Sequence, residues 1–342
     1  MKGAFLYGPK DIRIEEVEKP SIRSGEVLVK VKAAGICGTD IHYYLEGKTA
    51  VFVPKHPFIL GHEFSGVIEE SNVESFMPGD RVVIEPQIPC FKCYYCRRGK
   101  YNLCTNLKFI GTAATFPHIN GGFAEYCKVP AETLHRIPEG VMFEEAALAE
   151  PLSVAIHACR RVSISPGARA LILGAGPIGL FTLIVSRLNG VVEPLIVDNV
   201  ERRLNWAKEF GGYPINFSEQ DVFREVEKAT GGDGVDVVFE ASGSPAAVAT
   251  ALKCVRKGGC IVLIGNLPNE EIPSRLLNIV IKELDVKGIM RYANTFDAAL
   301  RLIYKKLFPA NEIITHTFSL DEIHEAFEVA VKGLALKAII KP

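Results

Sequence analysis

The sequence predicts an α/β protein of two domains, a β-rich one and a doubly wound parallel sheet inserted into it. Three observations carry this. The chain has 342 residues, too many for one ordinary core. Short alternating strands fill its first third. From Arg169 onward, apolar strands alternate with helices.

Residues 1 to 32 hold alternating runs, IRIEEVE and GEVLVKVKAA, separated by turns at Gly8-Pro9 and Ser24-Gly25. SGVIEE and DRVVIEP add strands around Pro78-Gly79, and NGGFAEYCKVP with AETLHRIPEG adds another strand and turn. FEEAALAEPLSVAIHACRR predicts a helical approach broken at Pro151. ARALILGAGPIGLFTLIVSRLNG then reads as strand, glycine turn and helix. VVEPLIVDNVERRLNWAKEFGG repeats the unit, and GVDVVFEASG and GGCIVLIGN supply further strands. Two amphipathic helices follow, in KELDVKGIMRYANTFDAALRLIYKKLF and SLDEIHEAFEVAVKG, before a short last strand, KAIIKP. A last strand able to rejoin the first domain implies a discontinuous domain, 1–150 with 289–342, around an insertion of 151–288.

A formal net charge of −1 offers no electrostatic reason to expect nucleic acid or an anionic membrane as partner. The N-terminus lacks the apolar run of a signal peptide, and Ala170 to Val185 is short and glycine-interrupted for a span. Nine cysteines, four of them within fifteen residues, point to metal binding in a reducing cytoplasm rather than to disulfides.

Those four, Cys90, Cys93, Cys96 and Cys104, have the spacing C-x2-C-x2-C-x7-C. Four sulfurs fill a tetrahedral shell, the pattern of a structural zinc. An iron–sulfur cluster uses similar spacing, but no proline follows the fourth cysteine and no second cluster run exists. A second candidate group lies between Ala33 and Val67, where Cys37, His62 and Glu63 offer thiolate, imidazole and carboxylate of the kind zinc accepts. Thr39 and His42 follow Cys37 closely and suit a proton relay. Glu150 sits in the apolar window AALAEPLSVAI, where an unpaired carboxylate is costly to bury and a metal would serve as partner.

The run Gly174-Ala175-Gly176-Pro177-Ile178-Gly179 fits G-x-G-x-x-G, and here it ends a predicted strand and opens a predicted helix. Asp198 ends the next strand nineteen residues after Gly179. That context is what the dinucleotide fingerprint requires. Asp198 would accept the adenosine ribose hydroxyls and repel the 2′-phosphate of NADP, so NAD is the expected cofactor.

The motifs CGTDIHYY at 37–44, GHEFSG at 61–66, EPLSVAIHACRR at 150–161, GAGPIG at 174–179 and KGIMRYANT at 287–295 together resemble the zinc-dependent medium-chain dehydrogenases. The resemblance covers essentially the whole chain and is nearest to the sorbitol/xylitol (polyol) dehydrogenases, through EPLSV and RYANT. It implies a GroES-like β-rich catalytic domain and a Rossmann domain, NAD and two Zn2+ per chain, and hydride exchange between NAD and a secondary alcohol of a polyol. By resemblance Cys37, His62 and Glu63 bind the catalytic zinc, with Glu150 beside it or ligating. Tyr43, Phe109, Glu150, Arg291 and Tyr292 line the substrate pocket. Gly174, Gly176, Pro177, Ile178, Gly179, Asp198, Arg203, Ile264, Gly265, Asn266, Met290 and Arg291 meet the cofactor. A dimer or tetramer is implied as well. One departure is the loop FIGTAATFPHINGG, longer than in typical polyol enzymes and bordering the expected pocket. A sugar-acid substrate, a threonine-dehydrogenase-like enzyme and a zinc-lobe binding protein with a vestigial cofactor site stay open at this point.

Overall fold

The computed structural model describes residues 1–49 and 52–342, in two compact units. One comprises Met1–Glu150 and Phe296–Pro342, the other Pro151–Thr295. The return crossing falls at Phe296, where a helix begins.

The first unit is organised around the strand Glu26–Gly35, whose residues alternate so that Val27, Val29 and Val31 enter the core. It pairs antiparallel with Glu63–Ser71 along its whole length, with Tyr126–Pro130 along its first half, and with the last strand, Lys337–Lys341, at its end. The sheet then continues to Arg81–Ile84 and Leu134–Arg136 on one side and Ile314–Ser319 on the other. Register carries the functional consequence. Gly35 lies opposite Glu63 on one flank and Ile339 on the other. A Cβ at residue 35 would stand 2.3 Å from Oε2 of Glu63 and 3.0 Å from Cε of Lys337. The central strand must therefore end in glycine for both charged side chains to fit.

In the second unit six parallel strands run in the order Tyr213–Asn216, Leu195–Asp198, Ala170–Leu173, Val235–Glu240, Val255–Leu263, Asp285–Gly288. The chain starts in the middle, builds outward to one side, then returns to build the other. That reversal creates a crevice between Ala170–Leu173 and Val235–Glu240, at the strands' carboxyl ends. The central strands are fully buried, as continuous apolar runs require.

Three details differ from the sequence expectation. Tyr213–Asn216 and Asp285–Gly288 are edge strands, the first with one residue buried and the second with none, so neither carries an apolar run. Asp285–Gly288 occupies part of a stretch expected to be helical, and the helix there is confined to Phe296–Tyr304. Finally, Pro151 does not break its helix. The break comes at Leu148, and Pro151 sits in the first turn of Ala149–Arg160, where no intrahelical donor is needed.

Candidate active site and metal centres

Cys37 ends up at a helix start because its side chain caps one. It precedes the helix Gly38–Glu46, and its Sγ accepts the Thr39 amide at 3.5 Å. Asp40, fully buried, returns the favour by accepting the Cys37 amide on Oδ2 at 2.9 Å. The other Asp40 oxygen faces Nδ1 of His62 at 3.7 Å. One carboxylate thus orients two metal-ligand candidates that are remote in sequence.

The ligand atoms of Cys37, His62 and Glu63 all lie within 4.8 Å of one another. His62 and Glu63 are buried. Among the described residues, His62 Nδ1, Asp40 Oδ1 and Glu63 Oε1 have no hydrogen-bond partner. The fully buried Lys337 is ion-paired with Oε2 of Glu63. Burial opposes the charge on Lys337, but Glu63, Cys37 and Glu150 outweigh it and raise the lysine's pKa. Burial also opposes the His62 imidazolium, and Cys37 and Asp40 again win, raising His62 well above its ordinary value. A site that draws cations this strongly, holds three converging donors and keeps buried oxygens without partners fits a zinc ion. With zinc in the shell, the same field would hold His62 neutral.

Glu150 is buried in the first turn of its helix and contributes to the field at Lys337, but it stands outside the three-residue donor group. Phe109 is buried with its ring 5.8 Å from that of His62. Tyr43 is fully buried, and its hydroxyl accepts the amide of Ala113 at 3.2 Å, pinning the long loop that follows Phe109. Farther along that loop, His118 lies 4.7 Å from both His56 and Phe58, ring to ring. His42 is half exposed, and its Nδ1 lies 2.9 Å from Glu46.

The four-cysteine lobe is a second donor group. Cys93 and Cys96 sulfurs are 3.5 Å apart, and Cys104 Sγ accepts the amides of Cys90 and Asn106 at 3.2 and 3.3 Å. Backbone amides of Cys96 and Thr105 bring the Cys93 thiol down to about 5. Burial and then the Cys93 contact push Cys96 up to about 12. Four crowded thiols cannot all ionise without a cation, and a closed tetrahedral zinc satisfies them.

In the second unit, Gly174 ends the first strand at a φ of 101°, and Gly176 caps the helix Pro177–Leu188 with Pro177 at its first position. A Cβ on Gly179 would meet the Gly174 carbonyl oxygen at 1.9 Å, so helix and turn pack only through glycine. Ile178, in the same first turn, is partly buried. Asp198 is buried and organises this turn. Its Oδ2 accepts the Ala175 amide at 2.8 Å, its Oδ1 accepts those of Asn199 and Val200, and Arg203 lies 3.5 Å away. The amides of Ile264 and Gly265 both donate to the Glu240 carbonyl, and Asn266 packs against Gly243. Met290 is exposed and Tyr292 fully buried, while Arg291 adopts a left-handed φ of 52°. Strain at a non-glycine residue is characteristic of binding segments. A cavity of about 430 Å³ lies at the opposite, amino-terminal edge of the sheet, lined by Arg169, Tyr213 and Lys228 and by none of these residues.

Comparison with known proteins agrees with this geometry. Residues 23–139 match the alcohol dehydrogenase GroES-like domain, and residues 177–305 match the zinc-binding dehydrogenase domain. Sorbitol dehydrogenase of Bacillus subtilis is 38% identical over 347 residues, covering 100% of this chain and 97% of the relative. The chain belongs to the zinc-dependent medium-chain dehydrogenases. L-idonate 5-dehydrogenase of Vitis vinifera is 39% identical, covering 96% of this chain and 91% of the relative. The crystal structure of 2R,3R-butanediol dehydrogenase from Bacillus subtilis superposes with a TM-score of 0.92 at 34% identity, covering 100% of this chain and 99% of that one. This dehydrogenase is a zinc-dependent oxidoreductase of polyol and sugar-acid type.

Asp40 and Lys337 are the two site residues that sequence reasoning missed. Asp40 stood in the CGTD run next to a proposed ligand, which was a usable signal. Lys337 had none, because only strand pairing brings it to Glu63.

Proposed function

We propose that the enzyme oxidises a secondary alcohol of a polyol to a ketose with NAD+, reversibly, in the cytoplasm. The observation that carries this reading is the converging Cys37, His62 and Glu63 donor group, its histidine and glutamate buried, oriented by Asp40. Nδ1 of His62 faces Asp40, which leaves Nε2 for the metal. Glu150 serves from outside the shell, as a carboxylate that holds water or a substrate hydroxyl. When bound, zinc supplies Lewis acidity that lowers the pKa of a hydroxyl, and NAD+ supplies the hydride acceptor. Thr39 and His42 stand three residues apart on one helix face. With Nδ1 of His42 occupied by Glu46, its Nε2 passes the proton from the Thr39 hydroxyl to solvent. Phe109 and Tyr43 exclude water, and Arg291 and Tyr292 orient substrate and nicotinamide.

The glycine turn supports NAD by offering amides at a helix N-terminus to a pyrophosphate. Asp198 favours a free ribose over a 2′-phosphate, with Arg203 on the adenine side. Ile264, Gly265, Asn266 and Met290 meet the nicotinamide ribose. The relatives named for sorbitol, idonate and butanediol share an alcohol carbon next to another oxygen-bearing carbon, and that is the substrate class we assign. A cytoplasmic home fits nine cysteines with no disulfide among them. Among the described residues no helix is long and apolar enough to cross a membrane. A dimer or tetramer is expected in solution, to be read by light scattering.

The test is an NAD+ reduction screen across polyols, sugar acids, threonine and simple alcohols with zinc-loaded enzyme. The expected result is highest kcat/KM on polyols. Preference for a sugar acid would move the assignment toward the idonate relative. No reduction with any vicinal diol would end it.

A further inference from the structure

His135 lies on the strand Leu134–Arg136 at the border of the large sheet, and its side chain is only 22% exposed. Each ring nitrogen meets a carboxylate. Nε2 is 3.2 Å from Oε2 of Glu85, and Nδ1 is 2.8 Å from Oδ1 of Asp297. The ring also stacks on Phe296, with centroids 4.6 Å apart. Glu85 continues the chain of contacts, since its Oε1 accepts the Tyr101 hydroxyl at 2.8 Å and the Gln87 amide at 3.4 Å. Tyr101 belongs to the four-cysteine lobe. Phe296 and Asp297 open the helix Phe296–Tyr304.

A neutral imidazole has one N–H donor, so in either tautomer one nitrogen would turn its lone pair toward a carboxylate. Only the imidazolium donates to both. Three further charged groups of the packed elements are engaged elsewhere, and Arg301 of the helix makes no contact with the ring. Arg136 binds Asp80 and the Ser75 carbonyl, Arg81 binds the Val141 carbonyl, and Glu145 binds the Met142 amide and Lys306. Glu85 and Asp297 are therefore the two groups that decide the charge of His135.

We propose that His135 is a proton-operated clasp, joining the base of the four-cysteine lobe to the start of the helix Phe296–Tyr304 when charged and releasing it when neutral. Neither metal group nor the cofactor turn takes part, so the inference stands apart from the substrate assignment. Burial works against the imidazolium, but Glu85 and Asp297 outweigh it and raise the His135 pKa above its ordinary 6.5. The sign follows. A raised folded pKa means the clasp's stabilisation is complete below pH 6.5 and is lost as pH climbs through the raised value.

The test is hydrogen exchange of the zinc-loaded full chain, read by mass spectrometry over Phe296–Tyr304 and corrected for intrinsic rates, across a pH series from acid to mildly alkaline. Wild type should lose protection at the helix amides from Leu300 onward, which bond to the carbonyls of its first turn, by roughly fivefold as pH rises, the factor that one charged contact is worth. His135→Gln should show the low level throughout. Asp297→Asn, at a position 77% exposed and tolerant of change, should move the transition to lower pH. A flat wild-type profile would overturn the proposal, as would an unmoved transition in D297N, which reads the clasp even if H135Q fails to fold.

Discussion

The two metal groups of the first unit are built in opposite ways. The four-cysteine lobe draws its ligands from one short stretch, sits near the surface, and presents Cys96 and Cys104 on successive short 3-10 turns. The Cys37, His62 and Glu63 group has two of its three members buried, and its surroundings come from a helix cap, a sheet register and the last strand. Local spacing suffices for the first. The second exists only once the sheet has formed, and the difference separates a group that holds structure from one positioned for chemistry.

The largest effect that could break this contrast comes from Cys37→Ser. Turnover should fall to background while NADH binding, followed by fluorescence, stays within a factor of about two, since no Asp198 or glycine-turn contact is touched. Retained turnover would remove the buried group from the reaction. Cys93→Ser should do the reverse, lowering unfolding stability by about 4 kcal/mol or more through loss of a metal clip. Metal analysis should show one zinc per chain instead of two. Asp40→Asn probes orientation rather than ligation. It should weaken zinc retention at the buried group by roughly 10–100-fold, measured by chelator competition, and leave the lobe's zinc in place.

Two smaller effects sharpen the comparison from the second unit. Asp198→Ala should cost about tenfold in preference for NAD over NADP, the equivalent of about 1.4 kcal/mol, read from the ratio of kcat/KM values. His157 lies on the helix Ala149–Arg160, and burial, with Arg161 and Arg160 adding to it, lowers its pKa to about 4. The folded state therefore resists a proton that the unfolded chain accepts near 6.5, so stability should decline as pH falls from about 6.5 to about 4. His157→Gln should flatten that part of the melting-temperature profile.

What was legible in the sequence divides along the same line. The glycine turn and Asp198 could be read because strand, turn and helix follow one another directly, and the cysteine lobe because its ligands are neighbours. Cys37, His62 and Glu63 were visible as residue types in glycine-rich company. Asp40 offered a local signal beside Cys37 that went unused, and Lys337 offered none, since a lysine in a final strand has an ordinary local explanation. The partner of Lys337 is set by cross-strand pairing, which carries no local pattern. Tyr213–Asn216 and Asp285–Gly288 escaped for a related reason. Edge strands can be polar, and periodicity needs a buried face to register.

Because Lys337 reaches Glu63 through the last strand, translation order imposes a schedule on maturation. The cysteine lobe can capture its ion while the ribosome is still at work downstream of it. The deeper centre leaves Glu63 without its buried lysine partner until Lys337–Lys341 has paired beside the central strand.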